Sequence, residues 1–331
     1  MFESLLRKWG WDAASRQQAR ERGLEIDRLL HACDRRLCLL PNHQQALAPG
    51  MRISQDYLST LTEKLPPVLE LSLPSFSRDR RLGLLFAGPS SLLELLEGSD
   101  ALRDFFSHAA NGDEAWALMT MRRSETGRFG VAMENGELRN DVAQTVVSFD
   151  GHRLQMPCAS EDSFHRQSGE RALHVLTAVI AGQLSLQEQT RLQLEAEQGR
   201  LQLRKLALKS AAHVVLDEQD SDDLPETLAG VDQRLKEIRP LLESLRELNS
   251  LEGGLDTVRH ILEHPRDYFS LERVALRLNR MGVKVGDGDE ESTLLQLEEL
   301  VLGKEHPTRR ALMAVRVRRE HVIELRQQFG A

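Results

Sequence analysis

Aromatic side chains are scarce in this chain, at 5% of residues with only two tyrosines, while Leu, Glu, Gln, Arg and Ala dominate. That composition leans towards helix in a globular protein. Cysteine is scarcer still. Cys33, Cys38 and Cys158 are odd in number and have no paired metal spacing, which excludes a disulfide framework and reads as a reducing compartment, so a cytoplasmic protein is expected. Long apolar runs are also lacking. The most apolar stretch, LHVLTAVIAGQL at 173–184, is interrupted by His174, Thr177 and Gln183, well short of the roughly 18 to 20 residues a spanning helix needs. An excess of positive charge is absent too: the net charge is -8, so no global field draws the chain onto nucleic acid or an anionic membrane.

Several chemical signatures are missing as well. There is no phosphate-binding glycine loop, no G-x-S-x-G elbow around the serines of GPSS at 88–91, no repeat of fixed period, and no base that the sequence pairs with Cys158. The N-terminal MFESLLRKWGW has no apolar core or cleavage site of an export signal. Its Phe2, Leu5, Leu6 and Trp9 share a helical face, which suits docking on the rest of the protein better than peripheral membrane contact through residues 1–11.

What is present predicts an α+β chain, mostly helical, in four segments. Residues 1–64 read as a helical segment, with one helix from Ser15 to about Leu40 and another over 53–64. Residues 65–160 read as an α+β unit. Short helices capped by Ser90 and Ser99 lead into a small antiparallel meander of about four strands between Trp116 and Met156, with hairpin turns at Asn135-Gly136 and Asp150-Gly151. Helices are expected to cover one face of it.

Residues 161–252 read as a long antiparallel helical hairpin, coiled-coil-like, joined by the acidic DEQDSDDLP. Its first helix carries two apolar faces. Leu194, Leu201 and Leu208 recur every seven residues, while Leu192, Ala196, Gly199, Leu203 and Leu206 form a separate stripe. One neighbouring helix covers one face, so a second neighbour is implied, and a homodimer through the Leu194, Leu201, Leu208 face is the simplest case. Residues 253–331 read as a C-terminal unit of helix plus hairpin.

Three local patterns carry chemistry to be weighed. HILEH at 260–264 resembles the H-x-x-E-H motif of the inverted zincin metallopeptidases, with His260 and His264 as metal ligands and Glu263 beside them. Two ligands do not make a catalytic zinc site, and Pro265 ends the helix where histidines cap carbonyls, so no metal or cofactor is expected. Asp287, Asp289, Glu291 and Glu298 are spaced as in an EF-hand, which the resemblance would make a calcium loop, but Ser292 stands where that turn needs glycine. SFDGH sets Asp150 beside His152, as a hydrolase would need.

SLERVALRLNRMGVKV resembles the end of a winged-helix domain: a helix capped by Ser270 and ended by Gly282, with Arg273, Arg277 and Arg280 on it, followed by a wing bearing Arg316 and Arg318. From Pro265 to Ala331 twelve Lys or Arg stand against eleven Asp or Glu, so a nucleic-acid face would have to arise by sorting of charge. The function expected from all this is a non-enzymatic interaction or assembly protein acting through the helical hairpin. A nucleic-acid-binding regulator is the alternative, and a metal- or His/Asp-dependent hydrolase the third reading.

Overall fold

The structure, a computed structural model, describes residues 17, 20–62, 68–134, 137–210, 224–286, 291–305 and 307–330. Helix α1 (residues 20–33) leads through a 3-10 turn, Arg35–Leu39, to α2 (His43–Thr62). The two-residue strand β1 (Leu69–Glu70) precedes four short helices, α3 (Leu73–Arg78), α4 (Arg80–Leu85), α5 (Pro89–Glu97) and α6 (Asp100–Ser107). Two long strands follow, β2 (Glu114–Glu134) and β3 (Glu137–Cys158), and then helices α7 (Glu161–Ser210), α8 (Leu228–Leu248) and α9 (Leu251–Glu263). Strands β4 (Phe269–Leu278), β5 (Thr293–Leu302) and β6 (Thr308–Arg318) and helix α10 (Arg319–Phe329) complete an α+β chain. Among the described residues no helix is long and apolar enough to cross a membrane.

The chain forms two compact units, each assembled from separated stretches: Met1–Ser54 with His174–Pro265, and Gln55–Leu173 with Arg266–Ala331. This differs from the four successive segments that the sequence suggests. The cause is the sheet, whose order β3-β2-β6-β5-β4 sets the last strand in sequence between β2 and β5. Residues 266–331 therefore complete the sheet that β2 and β3 begin and are not a separate unit.

In the second unit one sheet face is apolar. Ala115, Ala117, Met119 and Met121 of β2 alternate inward, as do Ala311, Met313, Val315 and Val317 of β6 and Leu295 and Leu297 of β5. Leu82 and Leu85 of α4, Leu92, Leu93 and Leu96 of α5, Leu102 and Phe105 of α6 and Leu325 of α10 cover that face, as an antiparallel sheet requires. Ser99 caps α6, accepting from Leu102 N at 3.2 Å, as its sequence position predicts. The start of α5 differs: Gly88 is its N-cap, Pro89 occupies the first turn and Ser90 lies inside the helix.

The expected four-stranded meander is a single long hairpin of β2 and β3. The Asn135-Gly136 turn lies outside the described residues, although Glu134 and Glu137 pair across it. Asp150-Gly151 is no turn. The β2–β3 register shifts by one residue between Thr120 and Arg122, so Gly151 and His152 together oppose Met121, with Gly151 at φ 62°. A β-bulge with a left-handed glycine has the same local requirement as a two-residue turn, which is why the dipeptide reads as either.

Two further expectations are corrected. α1 ends at residue 33, because the Asp34 carboxylate accepts from Arg36 N at 2.9 Å and starts the 3-10 turn, so Cys38 is not on the same helix as Cys33. Residues 269–278 form strand β4 and not a helix capped by Ser270. All ten of its residues pair with β5, a long-range pairing that overrides the helical spacing of Leu271, Val274, Ala275 and Leu278.

In the first unit Ile26, Leu29, Leu30, Leu37, Leu47, Met51, Leu176, Ile180, Val258, Ile261 and Leu262 are buried. Helix α9 is capped by Ser250, which accepts from Gly253 N at 3.0 Å. It approaches α2 closely enough that a Cβ on Gly50 would meet Leu262 at 2.9 Å, and Ser54 donates to the Leu262 carbonyl at 2.7 Å.

Candidate interaction face

Thr227 caps α8 by accepting from Gly230 N at 3.1 Å, and the helix then runs back along α7. The direction is visible in the ion pairs that tie the two together: Lys205 to Asp232 at 2.5 Å, Arg234 to Glu197 at 2.7 Å and Arg246 to Glu195 at 3.2 Å. As numbers rise on α8 they fall on α7, so the hairpin is antiparallel. The Lys205 ammonium holds the Asp232 carboxyl below its ordinary range, mainly by hydrogen bonding.

Apolar contact decides which face of α7 this hairpin uses. Leu201 is fully buried with Val231, Ile238 and Leu242 of α8, and Leu194, Leu208 and Leu235 pack around them. The Leu194, Leu201, Leu208 stripe is therefore covered within the chain and is not the surface left for another protein. The other stripe is the one exposed to solvent. Leu192 is 51% exposed, Leu203 55% and Leu206 63%, with Ala196 and Gly199 exposed between them. Its spacing is four, three, four, three, the seam of a coiled coil, and spans about 21 Å at 1.5 Å per residue.

The His260 and His264 rings meet at a tilt with centroids 4.5 Å apart, and His264 Nδ1 donates to the His260 carbonyl at 3.0 Å, capping the end of α9. Among the described residues no third His, Cys, Asp or Glu joins them in a metal-binding group. Of the proposed calcium loop, Asp287 and Asp289 lie outside the described residues, while Glu298 sits in β5 and accepts from Arg273 Nε at 2.9 Å. The residues 1–11 suggested for membrane contact also lie outside.

The winged-helix reading loses its recognition helix, since Arg273 and Arg277 are on strand β4 and Arg280 is in the turn after it. Four of the five arginines also have partners. Arg273 pairs with Glu298, Arg277 donates to Ser292 Oγ at 3.4 Å, Arg316 donates to Glu70 at 3.2 Å and Arg318 to Glu114 at 3.0 Å. Arg273, Arg316 and Arg318 are thereby sorted into ion pairs with carboxylates.

Asp150 and His152, the hydrolase pair, have different side-chain partners, although the Asp150 charge acts to raise the His152 pKa. Asp150 accepts from Arg122 at 2.8 Å, while the His152 ring stacks on Phe86 at 4.7 Å, and burial lowers its pKa.

A group that the sequence does not flag lies in the first unit. Asp27 of α1, Cys38 of the 3-10 turn and His43 at the start of α2 bring one ligand atom each within 4.8 Å of the others. Their spacing matches no metal motif, and only the break of the helix at Asp34 turns Cys38 towards Asp27. Comparison with protein-family models, with curated proteins and with solved structures finds no match.

Proposed function

We propose that the protein is a non-enzymatic assembly protein that docks a second copy of itself through Leu192, Ala196, Gly199, Leu203 and Leu206 of α7. The observation that carries this reading is a heptad-spaced apolar stripe in solvent on a helix whose opposite apolar face is already filled by α8. Small residues at 196 and 199 allow a partner helix to approach the backbone closely, and larger leucines on both sides supply the apolar area. Glu195 and Arg200 border the stripe five residues apart with opposite charges, the relationship that pairs neighbouring positions of parallel coiled-coil copies. Glu195 already accepts from Arg191 and Arg246 within the chain, so it would contribute as part of a network.

Light scattering across a wide concentration range, on wild type and on Leu203→Glu, tests the proposal. The expected result is a wild-type mass that rises from one copy towards two and a variant that stays at one copy with an unchanged circular dichroism spectrum. A wild type that remains one copy throughout, or a variant that associates as wild type does, contradicts it.

A further inference from the structure

The geometry points to a zinc-class metal site formed by Asp27 Oδ1, Cys38 Sγ and His43 Nε2, which we propose as a function of the first unit separate from the helical hairpin. The three ligand atoms come from three consecutive elements and lie within 4.8 Å of one another, all on half-buried residues. Carboxylate, thiolate and imidazole are the donor types that bind zinc, and a soft sulfur disfavours magnesium or calcium.

The nitrogen and oxygen ligands are each held from behind. His43 Nδ1 donates to the Leu40 carbonyl at 2.9 Å, which fixes the ring and aims Nε2 at Asp27 Oδ1, 2.8 Å away. Asp27 Oδ2 accepts from Gln44 Nε2 at 2.8 Å, which leaves Oδ1 directed at the imidazole. An imidazole anchored through its other nitrogen, and a carboxylate anchored through its other oxygen, are the outer contacts that metal sites use to orient their ligands.

The distances suit replacement of a proton by a metal. Ligands about 2.0 Å from a tetrahedral ion stand about 3.3 Å apart, so His43 and Asp27 need to open by only about half an ångström while the sulfur closes in. Binding releases two protons to solvent: the Cys38 S–H proton, replaced by the metal–sulfur bond, and the proton between Nε2 and Oδ1. Three protein ligands leave a fourth position for water or an exchangeable ligand. The other two thiols are differently committed. Cys33 donates to the Thr177 carbonyl at 3.3 Å and Cys158 is buried, donating to the Met156 carbonyl at 3.2 Å.

Cobalt(II) titration of the full chain reads the site directly, because thiolate coordination gives a charge-transfer band that carboxylate and imidazole do not. The expected result is one cobalt per chain with that band, displaced by zinc. Cys38→Ser should remove the band, Asp27→Asn and His43→Ala should weaken binding at least tenfold, and Cys33→Ser should leave it intact. Gln44→Leu, a change at an exposed position that removes only the outer contact, should weaken binding about tenfold and keeps the test open should a ligand variant not fold. The proposal is overturned if wild type shows no band, if the band survives Cys38→Ser, or if folded Asp27, His43 and Gln44 variants all bind as wild type.

Discussion

Leu201 and Leu203 lie two residues apart on one helix, and the structure gives them opposite fates: Leu201 is 0% exposed beneath α8 and Leu203 is 55% exposed. Leu201→Ala removes the centre of the cluster formed with Val231, Ile238 and Leu242. Such truncations cost about 2 to 5 kcal/mol, the transfer term plus the cavity left behind. Two helices joined at one end can relax inward, so a value near the lower half, about 3 kcal/mol, is expected. Leu203→Ala removes side-chain atoms that water already reaches, and in the dissociated chain should cost no more than about 0.5 kcal/mol. Denaturant titration at low protein concentration, followed by circular dichroism, with hydrogen exchange of α7 and α8 to localise the loss, measures both. Equal effects of the two substitutions, or a cost below about 1 kcal/mol for Leu201→Ala, would refute the assignment of faces.

Gly151 occupies the bulge at φ 62° with open space around its Cβ direction, so Gly151→Val should destabilise by about 1 to 2 kcal/mol through backbone strain alone, and an unchanged melting temperature would argue against the bulge. Glu299 is 3% exposed; burial acts to raise its pKa, but hydrogen bonds from Arg123 and then from Arg309 outweigh it and the carboxyl is held below its ordinary range. Its contribution to stability is therefore complete above the unfolded value of about 4.3 and is lost as pH falls through the lower folded value, so Glu299→Gln should flatten the acid limb of a stability–pH curve; an acid limb as steep as that of wild type contradicts the pairing. Replacing His260 and His264 together by alanine should lower stability by no more than about 1 kcal/mol and leave bound zinc unaltered, since their contact is a helix-end cap. Loss of about one zinc per chain in that double variant would restore the zincin-like reading.

Much of the fold was legible where a pattern is long and its period unambiguous. The two apolar faces of α7 and the Ser99 cap follow from spacing and cap chemistry alone, while most of the acidic DEQDSDDLP lies outside the described residues. The strand content of residues 116–156 was legible too, but not its layout, because a positive φ at glycine satisfies a bulge as well as a turn. β4 was misread because Leu271, Val274, Ala275 and Leu278 fit a helical face, and only pairing with β5, some twenty residues on, makes the segment a strand. Which face of α7 is covered by α8 was not legible, since both stripes are apolar and only the packing of Leu201 with Val231, Ile238 and Leu242 selects one. The Asp27, Cys38, His43 group was beyond sequence reasoning for another reason: its proximity depends on where the Asp34 cap ends a helix.

The most direct test of assembly through the exposed stripe is disulfide trapping at its centre. Gly199 has no neighbouring atom within 4 Å of the position a Cβ would take, so Gly199→Cys fits without strain, and a background carrying both Cys33→Ala and Cys38→Ala removes the two half-buried native thiols. Gly169, thirty residues earlier in α7 and likewise with nothing within 4 Å of its Cβ position, provides the control position. If two copies dock through this stripe, mild oxidation links them through Cys at 199 rapidly and nearly completely, a cysteine at 169 links slowly, and adding Leu203→Glu reduces the first to the rate of the second. Equal, slow linkage at both positions would contradict it.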